Sequence, residues 1–157
     1  MLKTDEKVID GHHVSVTAWP FLKMMKRKRI IIQGITKSGG DLVSFFLKDD
    51  EQAPVDGEDL DIKGIVKGLE SLLCSMTEQD MEQFIGWIFE TVHIDGDDMS
   101  NASSRDLLLS GNSVLFYKVA YFVLEVTYGD FFGMVQTLIG NVLNGSLNEQ
   151  MKKFNKK

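Results

Sequence analysis

Val114-Leu115-Phe116-Tyr117-Lys118-Val119-Ala120-Tyr121-Phe122-Val123-Leu124-Glu125-Val126 is the longest apolar stretch of the chain, and its reading decides the fold. Valine, phenylalanine and tyrosine are good strand formers, yet the stretch is too long for a typical strand. Lys118 and Glu125 settle the choice. Seven residues apart, they return to nearly the same face of a helix, whereas in a strand an odd separation puts them on opposite faces. A helix with one thin wet stripe and a broad buried surface accommodates both charges, so this segment is expected to be the central helix. It is short for a membrane span and carries two charges, so no membrane partner is expected.

Further along the chain, Gly129 is placed to end that helix and Asp130 to cap a following one. Phe131, Phe132, Val135, Leu138, Ile139, Val142 and Leu143 give this last helix a regular apolar face. Upstream lie two further amphipathic segments. Ile62, Ile65, Val66, Leu69, Leu72, Leu73 and Met76 recur at helical spacing, as do Met81, Phe84, Ile85, Ile88 and Val92. Thr77 stands at an N-cap position with Asp80 three residues on, a variant of the capping box. The two helices are expected to form a hairpin. Residues 93–101 are polar and rich in aspartate and read as a loop, with Asp95-Gly96 as a turn.

The N-terminal region reads differently. Val8 and Ile9 precede Asp10-Gly11, a tight-turn pair. Val14, Val16 and Ala18 then alternate with His13, Ser15 and Thr17, the period of a half-buried strand. Pro20 suits a helix start. The helix is expected over about residues 20–33, with Ala18, Phe21, Leu22 and Met25 sharing one face and Gly34 interrupting it. Residues 42–48 are expected to be a short helix. The acidic stretch 49–61, with Pro54 and Gly57, reads as a linker.

The fold class that follows is mainly α (α+β): an N-terminal β-hairpin followed by a helical bundle of five or six helices. A single domain is expected over residues 1–157. It comprises a hairpin-plus-helix subregion at 1–48, the acidic linker at 49–61, a helical subregion at 62–145 and a basic, flexible tail at 146–157. The chain has 157 residues, 43% of them hydrophobic and 25% charged, which suffices for one core and excludes global disorder.

Composition also narrows function. The single cysteine, Cys74, allows no internal disulfide and fits a reducing compartment; it is expected to be buried or half-buried. The charged residues 1–7 show no apolar signal core, so no export signal is expected. His12 and His13 are adjacent and point apart on a strand, and no His-x3-His spacing exists, so no metal site is expected. Asp95-Gly96-Asp97-Asp98 resembles the start of a calcium loop, but Met99 and Ser100 stand where an oxygen ligand and a glycine belong. Serine-nucleophile, P-loop and dinucleotide motifs do not occur. The chain reads as a non-enzyme without a cofactor.

Two clusters remain. The basic run Lys23, Lys26, Arg27, Lys28 and Arg29 is a possible phosphate-binding patch. The net charge of −6 argues against nucleic acid as the main partner and for a solvated helix surface. The aromatic cluster Phe116, Tyr117, Tyr121, Phe122, Tyr128, Phe131 and Phe132 exceeds what a core this small needs, and aromatic residues are enriched at interfaces. Tyr121, Phe122, Tyr128, Phe131 and Phe132 are therefore the candidate partner-binding residues.

The segment Leu115 to Gly133 resembles the C-terminal signature of tail assembly chaperones from tailed bacteriophages, in which a helix runs into an Asn-Phe-x-Asp-Phe-Phe-like motif. Here the motif reads Thr127-Tyr128-Gly129-Asp130-Phe131-Phe132, with Thr127 in place of the asparagine. The order of hairpin, proline-led helix, acidic linker and helices matches as well. The resemblance implies a protein that binds the tape measure protein, keeps it soluble and helps recruit tail tube subunits. It would act in the cytoplasm of the bacterial host and be absent from the mature virion. Self-association, and a longer frameshifted form, stay open. The alternatives are a small nucleic-acid-binding regulator using Lys23 to Arg29, a phage-encoded inhibitor of a host protein, or an enzyme with a site assembled from scattered residues.

Overall fold

The computed structural model describes residues 1–38 and 62–129. Strands β1 (Thr4–Ile9) and β2 (His12–Thr17) form the expected hairpin. Asp10 and Gly11 both take positive φ, 51° and 81°, the signature of a type I′ turn whose twist suits paired strands. Helix α1 (Phe21–Ser38) follows, then α2 (Ile62–Cys74) and α3 (Glu78–Phe89). Strands β3 (Val92–Ile94) and β4 (Asp97–Asp98), α4 (Ala102–Leu109) and α5 (Ser113–Tyr128) complete the described order. The architecture is α+β, a hairpin first and helices after it.

The expected central helix is α5. It buries Leu115, Val119, Ala120, Phe122, Val123, Leu124 and Val126, each side chain contributing roughly 1.5–3 kcal/mol if large. Asn112 caps its start by accepting from the Leu115 amide, and Gly129, at φ 69°, ends it. Lys118 reaches Asp10 at 2.6 Å and Glu125 is exposed, so both charges lie on the wet side of the helix.

Residues 93–101 are not a loop. β3 and β4 form a second hairpin around Asp95-Gly96, again with positive φ at both residues, and β3 pairs antiparallel with β2 to give a four-stranded sheet, β1-β2-β3-β4. Asp95, Asp97 and Asp98 are poor strand formers, and among them the short strand signal of Val92 and Ile94 does not stand out. Pairing brings it out: Val14 sits opposite Ile94 and Val16 opposite Val92, and all four are buried. Helix α5 packs on β1 and β2 and covers this apolar face. Met99, just past β4, donates its amide to the Val92 carbonyl and buries its side chain.

Helices α2 and α3 occur where expected, with Thr77 Oγ1 accepting from the Asp80 amide, except that α3 ends at Phe89 and Val92 belongs to β3. They do not pack along each other as a hairpin. Instead α2 lies against α1 and α5, and α3 lies against α5 and leads into β3. Cys74 is exposed rather than buried, because Leu69 and Leu72 form the inward face of α2.

Helix α1 differs most from expectation. It runs through Gly34 to Ser38. A Cβ built at Gly34 would collide with Leu72 Cδ1, so the glycine serves the close approach of α1 to α2 and does not break the helix. The inward face of α1 is Met24, Arg27, Ile31 and Gly34, while Phe21, Leu22 and Met25 point outward. The last apolar segment (131–143), residues 42–48, the acidic linker and the basic tail lie outside the described residues.

Candidate protein-docking site

Arg27 sits in the middle of the expected basic patch, yet it is 6% exposed. Its guanidinium lies over the rings of Trp19, at 4.6 Å, and Trp87, at 5.1 Å, while Nη2 donates to Glu90 Oε2 at 2.7 Å. Arginine suits this position because a planar, weakly hydrated cation can stack on indoles and pair with a carboxylate at once. Lys23, one helical turn earlier, donates to the other oxygen of Glu90 at 2.9 Å. Partial burial pushes the Glu90 carboxyl up, but the hydrogen bonds and charges of Lys23 and Arg27 outweigh it and hold the group below the ordinary carboxylate range. Two of the five basic residues thus fasten α1 to the end of α3. Lys26 and Arg29 are exposed and Lys28 is half-buried.

The candidate aromatic residues divide in the same way. Phe122 is buried in the core and Tyr121 is half-buried against it. Tyr128 packs edge-on against Trp19 at 6.1 Å, and its hydroxyl donates to the Met24 carbonyl at 2.9 Å. Burial pushes its phenol well above the ordinary tyrosine range, and the nearby Arg27 charge offsets part of this. Beside it, Thr127 Oγ1 accepts from the Trp19 amide at 3.4 Å. Thr127 and Tyr128 therefore tie the end of α5 to the start of α1. Phe131 and Phe132 lie outside the described residues.

What the sequence reading missed is the outward face of α1. Phe21, Leu22 and Met25 are 72%, 65% and 46% exposed. These three fall within little more than one turn, next to exposed Lys26 and Arg29. The stripe is legible in the spacing of Phe21, Leu22 and Met25, but spacing alone does not say whether it faces core or solvent. Only the placement of Arg27 against Glu90 shows which way the helix is turned.

The histidines serve separate partners: His12 Nδ1 meets Asp95 Oδ2 at 2.7 Å, and His13 Nε2 meets Glu6 Oε2 at 3.4 Å. Asp95 also accepts from the His13 amide at 2.9 Å and so stitches the two Asp-Gly turns together. Among the described residues no group of histidine, cysteine and carboxylate side chains could hold a metal ion, and no helix is long and apolar enough to cross a membrane.

In comparisons with known proteins, a family model described as phage tail assembly chaperone protein matches residues 10–140, well over half of the chain. No curated protein and no solved structure matches it.

Proposed function

The chain belongs to the phage tail assembly chaperone family, and from that premise we propose that it binds the tape measure protein, keeps it soluble and helps recruit tail tube subunits in the cytoplasm of the bacterial host. The family match over residues 10–140 carries this reading. The physical means are exposed apolar side chains on an ordered helix, since a long helical client can be held through its apolar stripe. On this reading Phe131 and Phe132 contact the client from the segment after Gly129. Tyr121, Phe122 and Tyr128 support the site by holding the C-terminal part of α5 in place. The basic residues that do not pair with Glu90, Lys26, Lys28 and Arg29, would then meet protein carboxylates rather than nucleic acid.

Co-expression with the tape measure protein of the same phage tests the proposal. The expected result is a soluble tape measure protein that co-purifies with the chain. A tape measure protein that is equally insoluble with and without the chain would overturn the reading.

A further inference from the structure

We propose that the outward face of α1, built from Phe21, Leu22 and Met25 and edged by Lys26 and Arg29, docks an amphipathic helix of a client protein whose apolar stripe is flanked by aspartate and glutamate. The inference rests on the chaperone reading for the existence of a client, and adds where the client sits and what chemistry it presents.

Three observations carry it. First, the apolar trio is exposed although α1 has a different and complete inward face, Met24, Arg27, Ile31 and Gly34. The trio therefore does no work in the described core. Contiguous exposed apolar groups of this kind mark interaction sites. Second, the trio suits a helix partner. An aromatic ring supplies an anchor, and methionine adapts to irregular apolar surfaces. Third, the local charge is opposite to that of the molecule. The chain carries −6 overall, yet residues 21–29 contain five basic residues and no acid. Glu90 neutralises part of this through Lys23 and Arg27. Lys26 and Arg29 form no ion pair among the described residues and border the apolar trio.

Charge complementarity selects the occupant. A second copy docked through the same face in a two-fold arrangement would bring Lys26 and Arg29 toward their own counterparts. The segment after Gly129 has an apolar stripe, but it ends in Lys152, Lys153, Lys156 and Lys157. Residues 49–61 are acidic, but Val55 and Leu60 are their only large apolar residues. Residues 41–51 hold an apolar run, Leu42, Val43, Phe45, Phe46 and Leu47, between Asp41 and Asp49-Asp50-Glu51. Leu42, however, follows Ser38 by four residues, a reach of about 14 Å, whereas Leu22 lies about 24 Å from Ser38 along α1. An acid-edged amphipathic helix of a client meets no such limit.

The test uses the full chain and three labelled peptides read by fluorescence anisotropy: a leucine-striped helix edged by glutamate, the same helix edged by lysine, and a scramble of the acid-edged one. The acid-edged helix is expected to bind roughly tenfold more tightly than either other peptide, and less tightly as salt rises. The variant Phe21→Ser/Leu22→Ser/Met25→Ser should lose this binding while its melting temperature stays near that of the parent. Lys26→Glu/Arg29→Glu should reverse the preference toward the lysine-edged helix. Equal binding of all three peptides, or a triple-serine variant that binds like the parent, would overturn the proposal. So would a gain of roughly tenfold in affinity when the carboxylates of residues 49–61 are neutralised, because the chain's own acidic segment would then be the occupant. A dimer that the triple-serine change dissociates would name a second copy and also overturn it. Tape-measure rescue separates this proposal from the chaperone reading. If parent and triple-serine variant rescue equally, the surface is wrong and the chaperone reading stands. If the parent fails to rescue but the peptides discriminate as expected, the surface stands and the client assignment falls.

Discussion

The Tyr128 hydroxyl donates to the Met24 carbonyl at 2.9 Å and so joins the last turn of α5 to the first turn of α1, across 104 residues of sequence. The ring that carries it packs edge-on against Trp19. Together with Thr127 on the Trp19 amide, this contact ties the end of α5 to the start of α1.

Removing the hydroxyl alone, in Tyr128→Phe, is expected to destabilise the fold by about 1 kcal/mol, the net worth of one hydrogen bond. Tyr128→Ala should cost about 3 kcal/mol or more, because the aromatic contact is lost as well. Urea unfolding followed by far-UV circular dichroism measures both. The raised phenol pKa has a sign. Its stabilisation is complete below the ordinary tyrosine value of about 10 and is lost as pH rises beyond it. Tyr128→Phe should therefore lessen the alkaline fall in stability.

Arg27 should behave as a core residue despite lying in a basic run. Arg27→Ala breaks the pair with Glu90 and both indole contacts, and is expected to destabilise by about 2–3 kcal/mol after allowance for the partial exposure of Glu90. Lys26→Ala, on the exposed side, should change stability by less than about 0.5 kcal/mol. Thermal melts of the two variants side by side decide the point.

The Glu90 carboxyl is held below its ordinary value, so its ion pairs stabilise the fold above the unfolded-state pKa, and that stabilisation is lost as pH falls through the lowered folded value. Glu90→Gln should be less stable than the parent at neutral pH, and the difference should shrink on acidification. Melting temperatures between neutral and strongly acidic pH provide the measurement. A constant difference across that range would count against the linkage.

Gly34→Ala sets two effects against each other. Alanine favours helix by about 1 kcal/mol, but its Cβ meets the buried Leu72 Cδ1, and overpacking of this kind typically costs about 1–3 kcal/mol. Net destabilisation is expected. Leu72→Ala, itself destabilising, should make Gly34→Ala stabilising. A double-mutant cycle in urea reports this coupling as a positive interaction between the two changes.

The elements that the sequence determined by itself are those with a strong local signal. The I′ turn at Asp10-Gly11, the Thr77 cap, the stop at Gly129 and the helical reading of residues 114–126 each depend on a few neighbouring residues and on backbone geometry that those residues favour. The motif at Thr127-Tyr128 was legible for the same reason, as was the family it belongs to. Tertiary structure alone decided the rest. β4 is two aspartates with little strand propensity, and β3 is only three residues long; they exist because β2 offers an edge and because Val92 and Ile94 gain a buried face by taking it. Gly34 reads as a breaker until Leu72 lies across it. The orientation of α1, which turns Phe21, Leu22 and Met25 to the outside, follows from a buried arginine. That arginine is tolerated only because Glu90 and Trp87, some sixty residues away in sequence, meet it in space. Apolar periodicity identifies a helix, but the direction in which it rolls is set by partners that periodicity does not contain.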